Sequence, residues 1–184
     1  MRPTGIVRRI DELGRIVVPK ELRRSLRIHE GDSVEIFVDP EGSIVLKKYS
    51  AVGQLKEMAA DMAAALAGSS GEVALICDRD VVIACAGAGE HDLAGRAVGR
   101  AVEKSMVERQ VLLVHFSGGS ESSSILVDDG SEFALISAAI APVIADGDPV
   151  GAVIIGTPSQ HNTVGDLEQS LVVTAAGYIG RQVE

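Results

Sequence analysis

The chain has 184 residues, with 17 Lys/Arg against 26 Asp/Glu and a formal net charge of −9 at pH 7. That length allows one domain or two small ones, and the longest nearly unbroken apolar run, thirteen residues from Phe133 to Ala145, is too short for a membrane helix of about 18–20 residues. The charge is unevenly spread: residues 1–48 hold ten Lys/Arg against eight Asp/Glu, net +2, and residues 49–184 hold seven against eighteen, net −11.

Such asymmetry predicts a nucleic-acid-facing module joined to an acidic body that does not face phosphates. No apolar segment follows the N-terminal arginines, which reads against a secretion signal. Within the basic part, Ile6 to Ile10 is a short β-branched strand, and Asp11-Glu12-Leu13-Gly14 supplies a turn. Arg15 to Val18 is a second strand, stopped by Pro19, a residue that suits the first turn of a helix. In that helix Leu22 and Leu26 sit one turn apart on the expected buried side, leaving Arg23, Arg24 and Arg27 outside. His29-Glu30-Gly31-Asp32 then turns into the alternation Val34/Ile36/Val38, and Asp39-Pro40-Glu41-Gly42 reverses into Ile44-Val45-Leu46.

A unit of this size buries too little surface to fold well alone, and it has no disulfide or metal ligand set to help. Two copies sharing strands would cover its open edges and apolar faces, so an obligate dimer is expected. Residues 1–27 hold eight Lys/Arg (Arg2, Arg8, Arg9, Arg15, Lys20, Arg23, Arg24, Arg27) against three acids, net +5. All but Lys20 are arginine, which grips phosphate oxygens and guanine edges bidentately.

The stretch TGIVRRIDELGRIVVPKELRRSLRI, followed by GDSVEIFVD and IVLKKY, closely resembles the N-terminal domain of the AbrB-type transition-state regulators. The resemblance implies that residues 1–50 form an all-β-rich swapped-hairpin (AbrB-like) barrel, built by two chains, that binds double-stranded, often A·T-rich DNA. It also implies DNA contacts from Arg8, Arg15, Arg23 and Arg24, with Arg9 and Lys20 as accessory phosphate contacts. AbrB-like modules also occur in antitoxins that bind DNA and sequester a partner toxin, which is the alternative function. Those proteins end in a short disordered tail, whereas residues 49–184 read as ordered.

Tyr49 to Gly53 is the expected boundary, since the charge balance changes there and a helix begins. In residues 51–67, Leu55, Met58, Ala59, Met62, Ala63 and Leu66 recur at helical spacing, and Gly68-Ser69-Ser70-Gly71 is the stop. Glu72 to Ile76 and Val81 to Ala84 make a hairpin around Asp78-Arg79-Asp80. With Arg79-Asp80 as a two-residue turn, Cys77 faces Val82 and Cys85 faces Ala74, so two reduced thiols are expected rather than a disulfide. After the loop 87–92, Leu93 to Val107 reads as a helix with Val98, Val102, Ser105 and Met106 on one side. Val111 to Phe116 is a strand, and residues 117–124 are a Ser/Gly-rich flexible loop. Ala134 to Ile144 and Val150 to Gly156 form a second hairpin around Asp146-Gly147-Asp148-Pro149. Residues 165–183 are a last helix, with Leu167, Leu171, Thr174/Ala175 and Tyr178/Ile179 as its inner stripe.

That order describes an α+β module, an antiparallel sheet flanked by helices. Together with the segment APVIADGDPVGAVIIGTP it resembles a GAF domain over residues 51–184. GAF domains sense small molecules and dimerise, which implies that the flanking helices, about 51–67 and 165–183, pair between chains. Dimerisation of the basic modules at one end and of the GAF-like domains at the other gives a homotetramer. An AbrB-type module followed by a GAF-like body resembles the sporulation regulators of endospore-forming bacteria. This implies a cytoplasmic, nucleoid-associated forespore protein that activates some late genes and represses others.

Signs of catalysis are missing from the sequence. His29, His91, His115 and His161 are scattered without metal-ligand spacing. Gly87-x-Gly89 lacks the third glycine of a dinucleotide fingerprint, and no Walker or G-x-S-x-G sequence occurs. No enzyme activity, cofactor, metal or membrane partner is expected. The Asn-Lys-x-Phe-Asp-Glu motif of cyclic-nucleotide GAF domains is absent too. By analogy with the fold, Cys77, Cys85, His115, Phe116 and the loop 117–124 stand near the mouth of a pocket for an unidentified small-molecule effector.

Overall fold

The computed structural model of the chain describes residues 4–87, 92–116, 125–127, 134–159 and 161–183. The chain divides into two compact units, Met1–Tyr49 and Ser50–Glu184.

In the first unit one turn design is used twice. Asp11 Oδ1 accepts from the Leu13 N–H at 3.0 Å and the Arg15 N–H at 2.8 Å, while the Asp11 N–H donates to the Arg15 carbonyl at 3.0 Å. Asp39 repeats this with Ser43: Oδ1 accepts from the Ser43 N–H at 2.8 Å and the Asp39 N–H donates to the Ser43 carbonyl at 3.0 Å. Gly14 and Gly42 take the left-handed position of each turn, with φ of 77° and 83°. The second turn closes an antiparallel hairpin of β1 (Val34–Val38) and β2 (Ile44–Lys48), with Val38 opposite Ile44 and Val34 opposite Lys48.

The expected strands at Ile6–Ile10 and Arg15–Val18 differ. Beyond the Asp11–Arg15 turn they form no ladder among the described residues. The physical reason is exposure: Val7, Ile10 and Val17 stay 85%, 65% and 74% exposed, and an isolated two-stranded ribbon with a bare apolar face is marginal in water.

Helix α1 (Lys20–Ser25) starts after Pro19, which is its N-cap residue rather than part of its first turn. Leu22 is half-buried, but Leu26 is exposed, against expectation. The helix ends at Ser25, so Leu26 falls at the C-cap and leaves the helical face. Among the described residues of this unit only Pro19 is buried. The alternation of β1 is present, yet Ile36 and Val38 face solvent.

The second unit is a five-stranded antiparallel sheet in the order β4-β3-β7-β6-β5, made of β3 (Val73–Asp78), β4 (Val82–Ala86), β5 (Leu112–His115), β6 (Ser137–Ala145) and β7 (Asp148–Thr157). The expected first helix is two pieces, α2 (Ala51–Gln54) and α3 (Lys56–Ser70), separated at Leu55. α2 is capped by Ser50 Oγ, which accepts from the Gly53 N–H at 2.9 Å. α3 runs through Gly68 and stops at Gly71, which adopts φ 73° and donates to the Ala67 carbonyl.

The helix expected at Leu93–Val107 is shorter. Residues 93–98 are irregular, tied by Gly95 N–H to the Val82 carbonyl, Val98 N–H to the Asp80 carbonyl and Val127 N–H to the Ala97 carbonyl. Only α4 (Arg100–Glu108) is helical. A register shift at Ile76/Cys77 sets Cys85 opposite Leu75, not Ala74, while Cys77 does face Val82. The β6–β7 turn is the two residues Asp146 and Gly147, at φ 49° and 82°, leaving Asp148 and Pro149 inside β7.

Strand alternation gives the sheet two buried faces. One, with Leu75, Cys77, Val82, Ile140 and Ile154, packs under α4 and the segments at Leu93, Ile125 and Leu135. The other, with Ile76, Ala139, Val143, Val153 and Ile155, packs under α3 and α5 (Asp166–Gln182). On α5 the buried stripe is Val172, Ala175, Ala176 and Ile179, which keeps Ala175 and Ile179 of the expected one, with Leu171 partly buried and Leu167, Thr174 and Tyr178 exposed. Small residues let both helices lie close on the sheet. The loop 117–124 and most of the loop 87–92 lie outside the described residues.

Candidate nucleic-acid interface

Lys20, Arg23, Arg24 and Arg27 fall at i, i+3, i+4 and i+7, the spacing of one helical face. They line an open cleft of about 350 Å³ together with Ile28, His29 and Glu30. Cations suit this place electrostatically, because Arg23 and Arg24 occupy the last turn of α1, where the helix dipole is negative. The chain then leaves the helix by a Schellman closure: Ile28 N–H donates to the Arg23 carbonyl at 2.8 Å and Arg27 N–H to the Arg24 carbonyl at 3.2 Å. Arg27 holds the left-handed position of that closure, φ 52°, which glycine usually fills.

Arg8, Arg9 and Arg15 stand on the two arms of the Asp11–Gly14 turn and are all exposed. Arg8 Nη1 donates to the Val7 carbonyl at 3.2 Å. Arg15 Nε donates to Asp11 Oδ2 at 2.8 Å, with the arginine side chain 71% exposed. Hydrogen bonds from the Arg15 backbone N–H first and its guanidinium second hold the Asp11 carboxyl below its ordinary range.

Of the six residues expected to touch DNA, Lys20, Arg23 and Arg24 share the cleft, while Arg8, Arg9 and Arg15 are not part of its lining. Arg27 shares it as well. The sequence sets Arg27 outside with Arg23 and Arg24 but gives it no contact, and the structure brings it to the cleft through the closure after Ser25 rather than on the helix itself.

At the other expected site, Cys77, Cys85 and Phe116 all pack on the α4 side of the sheet, Cys77 fully buried and the other two partly. Burial pushes the Cys77 thiol far above its ordinary pKa. His115 alternates along β5 with Leu112 and Val114, which lie on that same side, so it occupies the opposite face and is exposed. The structure therefore brings three of these four residues to one face and not the histidine. Among the described residues no group of three His, Cys, Asp or Glu could hold a metal, and no helix is long and apolar enough to cross a membrane.

Residues 54–184 match the family described as stage V sporulation protein T C-terminal, transcription factor, and residues 7–54 match the family of the bacterial antitoxin MazE. Stage V sporulation protein T of Bacillus subtilis (strain 168) is 45% identical over 184 residues, which span 100% of this chain and 99% of that protein. Transition state regulatory protein AbrB of the same strain is 63% identical over 49 residues, 27% of this chain and 50% of AbrB. Among solved structures, the GAF domain of a phosphoenolpyruvate-protein phosphotransferase from Acinetobacter has a TM-score of 0.56 at 14% identity, covering 73% of this chain and 82% of that one. At that identity the likeness concerns the fold alone.

Proposed function

The chain belongs to the stage V sporulation protein T family, and from that premise we propose that it is a DNA-binding regulator of transcription during sporulation. The observation that carries the reading is the cleft formed by Lys20, Arg23, Arg24 and Arg27, three cations on α1 and one on the closure that follows it. Phosphate contacts from this face give affinity, and each releases condensed counterions, so binding weakens steeply with salt. Arg8, Arg15, Arg23 and Arg24 are the main contacts, with Arg9 and Lys20 accessory. A·T-rich sites are preferred through groove shape and deformability rather than a strict base code.

Two copies complete the first unit. Its exposed Val7, Ile10, Val17, Ile36 and Val38 support this, because so much apolar surface on a unit whose described residues bury only Pro19 calls for a cover. The GAF-like units pair through α3 and α5 into a tetramer and hold an effector on the face of Cys77, Cys85 and Phe116. The protein acts in the forespore cytoplasm at the nucleoid, activating some late genes and repressing others. This reading assigns it no catalysis.

Fluorescence anisotropy of a labelled A·T-rich duplex across a salt series tests the reading. The unaltered chain binds with a steep salt slope, and the Arg8/Arg15/Arg23/Arg24→Ala chain does not. The match of residues 7–54 to an antitoxin family favours a second reading, a DNA-binding antitoxin that sequesters a toxin. Absence of duplex binding at low salt would turn attention to a protein partner for the basic face.

A further inference from the structure

We propose that Lys48 and Asp32 are positioning residues for the arginine cleft, holding α1 and its closure in place on the β1–β2 hairpin. The proposal rests on the DNA-binding reading above. Lys48 ends β2, and its Nζ lies 2.9 Å from Asp32 Oδ2 while donating to the Arg27 carbonyl at 2.8 Å. The pair is sheltered: the Lys48 side chain is 18% exposed and that of Asp32 only 4%. The same Asp32 Oδ2 accepts from the His29 backbone N–H at 2.7 Å, with His29 Nδ1 3.5 Å away.

A charge withdrawn from water is costly unless it is paired and hydrogen-bonded, and both members here are. What the pair ties together is informative. The Arg27 carbonyl belongs to the left-handed residue that closes α1, and the side chain of Arg27 lines the cleft with Arg23 and Arg24. One ammonium thus fastens a strand to the backbone from which the cleft cations project. Asp32 fixes that ammonium and, through His29, the turn that follows the closure. In a unit whose described residues bury only Pro19, the aim of the arginines depends on such a latch rather than on packing. The charge of Lys48 is spent inside the unit and does not count among the phosphate contacts.

Anisotropy with the A·T-rich duplex, on the full chain, tests this with Asp32→Asn, Lys48→Met and Lys48→Arg, each alone and combined with Arg24→Ala or Arg8→Ala. Far-UV circular dichroism of the same samples gives the folded fraction, and affinities are taken per folded chain. Asp32→Asn removes a negative charge near the cleft, which by charge alone would tighten binding. The expected result is the reverse, a loss of about tenfold that shrinks to about twofold when Arg24 is already Ala and persists beside Arg8→Ala. Lys48→Met behaves alike, and Lys48→Arg restores most of the affinity. Tighter or unchanged binding by Asp32→Asn overturns the proposal, as does a Lys48→Met loss equal in the Arg24 and Arg24→Ala backgrounds, the mark of a direct phosphate contact. Loss of folding with unchanged affinity per folded chain also overturns it. Failure of the unaltered chain to bind at low salt defeats the DNA reading itself, a result distinct from all of these.

Discussion

Arg15 closes on Asp11 twice, its backbone N–H on Oδ1 and its guanidinium Nε on Oδ2, each at 2.8 Å. Asp39 makes the backbone half of this arrangement with Ser43. Both carboxyls are held below the ordinary value of 3.8, in each case first by the backbone N–H of the residue four positions on. Since the folded pKa is depressed, the stabilisation is complete above the unfolded value and is lost as pH falls from 3.8 through the lower folded pKa. Carbon-13 titration of the two carboxyls is expected to give midpoints below 3.8, and acid is expected to loosen both turns together. A midpoint at 3.8 or higher for either residue would contradict the turn geometry.

Arg27 serves two ends that a single substitution can separate. Its φ of 52° carries a steric cost for any residue with a Cβ, about 1 kcal/mol, and glycine is the usual occupant of that place in a Schellman closure. Its side chain, however, lines the cleft. Arg27→Gly is therefore expected to raise the stability of the first unit by up to about 1 kcal/mol. It should also weaken duplex binding and lower the salt slope by about one per chain. Chemical denaturation and a salt-series anisotropy titration check the two halves. Parallel loss of stability and binding would show the left-handed backbone to be unstrained.

Local chemistry was legible in the sequence, and long-range chemistry was not. The β1–β2 hairpin follows from an alternation and an Asp-x-x-Gly turn that lie within a few residues of each other. Ile6–Ile10 and Arg15–Val18 carry the same local marks but form no ladder among the described residues, because their apolar faces stay exposed. Residues 93–98 have helical periodicity, yet their N–H groups are drawn to carbonyls at Asp80 and Val82. On α5, Ala175 and Ile179 face inward as expected, but Leu167 and Tyr178 are exposed, because close approach to the sheet selects the small Ala176 and Gly180 instead. In the cleft, helical spacing sets Arg23, Arg24 and Arg27 outside together, and the structure adds Lys20 to them. The tie from Lys48 to Asp32 and the Arg27 carbonyl joins residues far apart in sequence, with no spacing to announce it.

The two cysteines are expected to differ sharply in reactivity. Thiolate is the reacting species, and burial raises the pKa of Cys77, which is fully buried between strands. Cys85 on the neighbouring strand is partly exposed. Maleimide labelling of the native chain followed by mass analysis should modify Cys85 first, with Cys77 reacting only on unfolding. Equal labelling of both in the folded chain would place Cys77 outside the core.

Two glycines in α5 give a matched pair for testing how the helix sits on the sheet. A Cβ built at Gly180 would run into the carbonyl oxygen of Ile144 on β6, a backbone atom that cannot swing aside. A Cβ at Gly177, on the same helix, meets nothing within 4 Å. Neither glycine has a left-handed φ, so backbone strain is not at issue. Gly177→Ala should therefore gain up to about 1 kcal/mol from helix propensity alone. Gly180→Ala gains the same propensity but must push α5 off β6, an overpacking cost of about 1–3 kcal/mol. The net expectation is opposite signs for the same substitution three residues apart, read from urea unfolding of each variant by far-UV circular dichroism. Equal effects would mean that α5 rides higher over β6 than the buried Ile179 and Gly180 imply, and that its small-residue face is not set by contact with the strand.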